Sequence, residues 1–350
     1  MKKIDFIFPI VATAVVFTVI LLSNRIPKRD MFLQDTATSQ ERAVYYWRTT
    51  FSLNDYEAGF LKKYRIGKMY VRFFDVDMNH NPKFNDVCAP LASVDFYEYA
   101  LDTVRNYGIE IVPVVFITPE AIIAYPSFTD HLARRLYAMC FKNGISIHEV
   151  QFDCDWTTST KDSYFQFLTE IRQMLYNYFD DSLKISSTIR LHQLMQDPPE
   201  VDYGVLMCYN TGDFKAYETE NSILDVKDVK PYLPYYLKNY RLPLVLALPA
   251  YSWCVEFDQN KEFIRLNKTN CSVTDTAKYR RLSDGRYEVI TPLPEDNTRY
   301  VRYEKVSVET ILKTKEMIER YRAGMPVVLF HLDNEQLSNY SDNEIKAFFE

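Results

Sequence analysis

Eight short runs of apolar, β-branched and aromatic residues recur along the chain, at 43–50, 68–76, 110–118, 149–156, 183–191, 203–210, 242–251 and 325–333. Stretches with helical spacing lie between them. Residues 54–64 start at Asn54, a favourable N-cap, and carry Phe60 and Leu61. Residues 93–107 place Phe96, Ala100, Leu101 and Val104 on one face. Residues 129–142 repeat Leu132, Leu136 and Met139, and 159–179 repeat Phe165, Leu168, Ile171 and Leu175. Residues 307–322 open on Ser307-Val308-Glu309-Thr310 and stop before Gly324. A polar cap ahead of a periodic apolar run, with a glycine behind it, marks where a helix starts and stops. The links at 191–195 and 229–240 predict less regular helices. Strand alternating with helix eight times predicts an α/β fold with a parallel sheet, closed as a (β/α)8 TIM barrel. A chain of 350 residues allows two domains, but one such barrel typically takes ~250 residues. No G-x-G-x-x-G follows any run, which argues against an open dinucleotide-binding sheet.

Two segments fall outside the alternation. Residues 254–305 contain a turn signal, Ser283-Asp284-Gly285, flanked by Tyr279 and by Tyr287-Glu288-Val289, and then run through Arg299-Tyr300-Val301-Arg302-Tyr303. They predict a small β-rich insertion between strand seven and its helix. At the start, residues 6–22 form 17 positions without a charge, behind Lys2 and Lys3. Such a segment is a transmembrane signal anchor or the core of a signal peptide. No A-x-A-like cleavage site follows it. The expected organisation is a leader at 1–30 and a barrel at 31–350. The barrel is expected to be tethered to the membrane on its extracytoplasmic side, with secretion after cleavage as the alternative. Basic residues on both sides of the segment leave its orientation open.

Charge narrows the partner classes. The formal net charge is −6, and outside the leader 36 basic residues face 45 acidic ones. With no basic stripe, nucleic acid is not an expected partner. Only 8 residues are glycine, too few for phosphate-cradling loops, while Tyr and Phe number 27 and 23. The six cysteines show no C-x-x-C spacing, and His148 and His192 are not spaced as ligands, so neither a metal nor another cofactor is expected. Cys154 and Cys208 fall inside strand-like runs and read as small core residues. Cys254 and Cys271 bracket a polar loop and are placed to form a disulfide in an exported body.

In a barrel of this kind the site lies at the C-terminal strand ends. Strand four offers Asp153 and Asp155, two positions apart and so on one face, ~6–7 Å from each other along the strand. Two close carboxylates drive one pKa upward, which is how an acid–base pair is made. Strand two adds Arg72, Asp75 and Asp77. Strand five presents Arg190 inward, a natural partner for the aspartates. Strand six ends with Met207, Tyr209 and Asn210, strand seven with Tyr251, Ser252 and Trp253, and strand eight with His331 and Asp333. One aromatic at a strand end is ordinary packing. Several around a polar cleft suit sugar rings, which carry apolar faces and hydroxyl edges.

These strand ends resemble those of glycoside hydrolase family 18, the chitinase-like barrels. The family's strand-four signature is D-x-x-D-x-D-x-E, and the corresponding stretch here is Val150-Gln151-Phe152-Asp153-Cys154-Asp155-Trp156-Thr157. Asp153 and Asp155 match the second and third acids, Val150 stands at the first, and Thr157 stands at the final Glu. Residues 205–210 resemble the family's M-x-Y-D, with Asn210 in place of Asp. Residues 246–253 resemble G-x-P-x-Y-G, and 329–333 resemble the W-s-x-D ending, with Phe330 near the Trp. The resemblance implies a distant relative of that family, with a carbohydrate ligand. It assigns Asp153, Asp155 and Tyr209 to catalysis. Arg72, Asp75, Arg190, Met207, Asn210, Tyr251, Trp253, His331 and Asp333 fall to substrate binding. The family's Glu is its general acid, in a substrate-assisted scheme that departs from the two-carboxylate pattern, and a threonine cannot supply that proton. Asp155, Asp213, Glu256 and Glu335 are the carboxyls in the sequence that could replace it. The expected function is therefore a glycosidase working through strand-end carboxylates, or else an inactive glycan- or partner-binding barrel. A third alternative is a scaffold whose mouth is filled by its own side chains.

Overall fold

The computed structural model describes residues 42–78, 88–268, 272–291 and 297–350. The leader at 6–22 and Cys271 lie outside them. Among the described residues no helix is long and apolar enough to cross a membrane.

Eight parallel strands form the barrel: β1 (Ala43–Tyr46), β2 (Lys68–Met78), β3 (Glu110–Ile117), β4 (Glu149–Asp153), β5 (Lys184–Arg190), β6 (Tyr203–Met207), β7 (Leu244–Pro249) and β8 (Val327–Phe330). They pair in sequence order, and β1 also pairs with β8, which closes the ring. The strand alternation explains both surfaces. In β4 the even positions, Val150 and Phe152, are fully buried, and Phe152 meets Phe167 of the helix Lys161–Tyr178 with ring centroids 5.1 Å apart. The odd positions, Glu149, Gln151 and Asp153, take part in the polar bonding inside the ring. Gln151 accepts from Tyr45 Oη at 2.6 Å and donates to Ser186 at 3.3 Å. Glu149 accepts from Ser186 Oγ at 2.6 Å and from Tyr203 Oη at 2.5 Å, and pairs with Lys68 Nζ at 3.0 Å. Tyr70 lies 2.6 Å from the Tyr203 hydroxyl. Buried polar groups hold only when partnered, and this interior meets that demand with side chains from five strands.

Gly204 in β6 is fixed by packing. A Cβ there would stand 2.7 Å from Ile189 and 2.9 Å from Leu244, on the strands to either side.

The outer helices follow their caps. Asn54 and Glu57 form a reciprocal capping box on Asp55–Lys63, and Ser307 caps Val308–Glu319. The helix expected from residue 93 starts instead at Glu98, because Asp95–Phe96 pairs with Thr50–Phe51 as a two-stranded ribbon. After β5 the chain makes a 3-10 turn at Leu191–Met195, and after β6 only short turns between Val226 and Leu237.

The insertion after β7 is a five-stranded antiparallel sheet. Its order is Phe263–Asn267, Ser252–Phe257, Tyr300–Lys305, Tyr287–Val289 and Tyr279–Arg281. It braces the loop that follows β6. Arg302 donates to the carbonyls of Phe214, Ala216 and Tyr217 and pairs with Glu304 at 2.5 Å, and Glu304 in turn accepts from Ser222. Cys254 is disulfide-bonded, and Cys154 and Cys208 are buried free thiols.

Candidate functional site

The C-terminal strand ends surround an open cleft of about 1560 Å³. The structure places on its wall all twelve residues expected in catalysis or substrate binding: Asp153, Asp155, Tyr209, Arg72, Asp75, Arg190, Met207, Asn210, Tyr251, Trp253, His331 and Asp333.

The two aspartates differ in setting. Asp153 is the last residue of β4, 4% exposed, and accepts from Thr188 Oγ1 at 2.6 Å. Burial, with the Asp155 charge adding to it, pushes its carboxyl up to about 6, against the pull of Arg190 and the Thr188 hydrogen bond. Asp155 lies beyond the strand end. Arg190 grips it with two donors, Nε to Oδ1 at 2.5 Å and Nη2 to Oδ2 at 3.1 Å. Such a planar fork is the strong form of a charge-assisted contact. It occupies both carboxylate oxygens of Asp155 and leaves Asp153 as the buried acid of the pair.

Thr157, at the position of the family's acid, is exposed and is not on the cleft wall. Its backbone N–H is held by Thr160 Oγ1 and its hydroxyl lies 2.9 Å from Ser159. Among the alternative carboxyls, Glu256 faces the insertion, where it pairs with Arg265 and accepts from Thr298 at 2.8 Å. Asp213 and Glu335 do line the cleft.

Arg72 and Asp75 form a second clamped pair, with Arg72 Nε 2.7 Å from Oδ1 and Nη2 bonded to Oδ2. Three residues apart, they would face opposite ways on a regular strand. A β-bulge between Arg72 and Phe74 skips one residue of the β2–β3 register and brings both to the cleft. The Arg72 guanidinium also sits over Trp47, 5.6 Å from the ring centre. Asp77 is not on the wall; it accepts from Thr118, the cap of Pro119–Ile123.

Aromatics continue the wall from Trp47, whose ring centre is 5.6 Å from that of Phe330. Tyr209 stands 4.8 Å from Phe330 and edge-on to Tyr251 at 6.0 Å. Tyr251 donates to Asn210 Oδ1 at 2.6 Å, and Asn210 takes the left-handed backbone that asparagine tolerates. Trp253 packs on Tyr251 and donates its indole N–H to Glu304 at 3.0 Å. Asp333 caps the helix Asn334–Leu337. Three polar atoms on the wall are buried without a hydrogen-bond partner: Nε of Arg48, the Tyr209 hydroxyl and Nδ1 of His331. Burial pushes the His331 imidazole down to about 4, opposed by Asp333, so the ring is neutral at pH 7.

Sequence reasoning missed several wall residues, among them Trp47, Phe116, Tyr232, Leu266 and Lys268. Trp47 was legible at the end of the first run. Leu266 and Lys268 come from the insertion, and nothing in its pattern says which of its residues reach the cleft.

No family model matches the sequence, and no curated protein does. Solved structures match through fold. A chitinase from Chromobacterium violaceum superposes with a TM-score of 0.55 at 11% identity, over 88% of this chain and 98% of that one. The spore cortex-lytic enzyme SleL of Bacillus cereus gives 0.54 at 12% identity, over 89% and 74%. A plant class V chitinase mutant from Cycas revoluta in complex with (GlcNAc)3 gives 0.50 at 12% identity, over 83% and 94%. The likeness is one of fold: this chain and those enzymes share the closed barrel of parallel strands.

Proposed function

We propose that the chain is a glycoside hydrolase-like barrel that binds a glycan in the strand-end cleft. One observation carries the reading: an open, aromatic-walled cleft holds a buried tyrosine hydroxyl, Tyr209, that no protein group satisfies. A buried donor without a partner costs about 1–3 kcal/mol, which a ligand hydroxyl or carbonyl would recover. Trp47 and Phe330, half-buried on the wall, offer surface for sugar rings, and a barrel of the same fold holds (GlcNAc)3.

Binding without hydrolysis is the form the geometry favours. Asp155 is clamped by Arg190, and Thr157 stands off the wall where the family resemblance calls for an acid. Asp153 supports the hydrolytic alternative, because a carboxyl raised to about 6 keeps its proton in mildly acidic solution, where an ordinary carboxyl has lost it. The uncharged segment at 6–22 supports a barrel tethered outside the cytoplasm.

The test is calorimetric titration of the full-length chain across a panel of oligosaccharides, with chromatography of each mixture after long incubation. Saturable binding with intact saccharides is expected. Cleaved products that disappear in Asp153→Asn would establish the hydrolase instead. Failure to bind any saccharide would overturn the glycan reading.

A further inference from the structure

Of the hydrogen-bond donors left over at the cleft once the internal pairs are formed, four stand on Arg72, Arg190, Tyr209 and Lys268. Arg72 spends Nε and Nη2 on Asp75, and Arg190 spends the same two atoms on Asp155. Among the described residues, Nη1 of each arginine makes no hydrogen bond, and neither atom is buried out of reach. The Tyr209 hydroxyl is the third donor, on a side chain 2% exposed. The fourth is Lys268, which the insertion delivers to the wall directly after its strand Phe263–Asn267. Among the described residues no hydrogen bond or ion pair holds its ammonium.

The charge around Lys268 explains why it stays unpaired. Its side chain is exposed at the mouth, yet the surrounding protein desolvates the ammonium, and Arg72 and Arg190 both repel it, which lowers its pKa. Asp75 is the carboxylate that attracts it, but both Asp75 oxygens are already taken by Arg72. The two arginines are each matched by an aspartate, so Lys268 is the cation of this group without a counter-charge. A neutral sugar would leave it so. An anion seated among Lys268 and the two free Nη1 atoms would answer all three, as charge-assisted hydrogen bonds do.

We infer that the cleft selects an acidic glycan, with a carboxylate or phosphate substituent of one sugar held by Lys268 and the unused N–H groups of Arg72 and Arg190. The Tyr209 hydroxyl then serves the uncharged part of the same ligand. This rests on the glycan reading and names the substrate class for it. The insertion becomes a specificity element: it supplies the charge that the barrel's own strands balance internally.

The experiment titrates the full-length chain with oligogalacturonate, with the same oligosaccharide methyl-esterified, and with a phosphorylated oligomannose. The acid form is expected to bind about tenfold more tightly than its ester, and the preference should shrink as salt rises. The phosphorylated probe decides which anion fits better. In Lys268→Gln the acid-over-ester preference should collapse toward one, and Lys268→Arg should keep it. Lys268 is exposed, so neither change threatens the fold. Equal affinity for acid and ester in the native chain overturns this inference and leaves the glycan reading standing, as does a preference undiminished in Lys268→Gln. No binding of any saccharide overturns both.

Discussion

At the floor of the barrel Glu149 accepts from Ser186 and Tyr203 and pairs with Lys68, and Tyr203 is in turn bonded to Tyr70. At the mouth, just past the C-terminal ends of β6 and β8, Tyr209 and His331 each bury a polar atom that has no partner. Both regions set polar groups inside a low-dielectric ring, where an unmatched group is costly. The floor removes that cost within the protein and is built for stability. The mouth retains it, and a ligand is what would remove it.

The comparison breaks first, and by the largest amount, at Glu149. Glu149→Gln removes the buried carboxylate that Lys68, Ser186 and Tyr203 share, while Lys68 keeps its 3.6 Å pair with Glu110, and should cost about 3 kcal/mol in denaturant unfolding. A loss below 1 kcal/mol would mean the floor network carries little stability.

Acid titration separates the two mouth groups next. Asp153 is raised from its ordinary 3.8 to about 6, so the native state holds more protons than the unfolded chain across that window, and stability falls as pH rises through it. The full effect is about 3 kcal/mol. His331 is lowered from 6.5 to about 4, so its contribution is present above 6.5 and is lost as pH falls through 4. The two slopes oppose each other. Asp153→Asn should remove the falling component, so that between pH 4 and 6.5 its unfolding free energy climbs with pH more than that of the native chain. Parallel curves for the two proteins would refute the assignment.

Packing at Gly204 gives a smaller effect. The Gly204→Ala methyl would press on Ile189 and Leu244, and overpacking of this kind costs about 1–3 kcal/mol. Thermal unfolding would show it as a lowered midpoint, and an unchanged midpoint would show that the neighbouring strands yield.

Two tyrosines give the finest contrast. Tyr203→Phe removes a hydroxyl bonded to Glu149 and Tyr70 and should cost about 1–2 kcal/mol. Tyr209→Phe removes a hydroxyl bonded to nothing in the protein and should stay within about 0.5 kcal/mol of the native chain. Equal losses would erase the distinction between floor and mouth.

Much of this arrangement was legible in the sequence, because barrel strands obey a period of two. The alternation of Ser186, Thr188 and Arg190 against Ile185 and Ile189 sends Arg190 inward, and it meets Asp155 there. Other features were hidden for physical reasons. Period two sets Arg72 and Asp75 on opposite faces, and only the bulge, a property of how β2 pairs with β3, reunites them. The strand of β4 stops at Asp153, so Asp155 reaches its partner from beyond the ladder rather than from a shared strand face. Lys268 sits in an insertion whose pairing order no local pattern encodes. The leader at 6–22 stands on its sequence alone.

The most direct measurement is calorimetric titration of the full-length chain and of Tyr209→Phe with a saccharide that the native chain binds, alongside the unfolding midpoint of each. The account predicts an affinity about three- to tenfold weaker in Tyr209→Phe, with the midpoint unchanged. Equal affinity in the two proteins would contradict it.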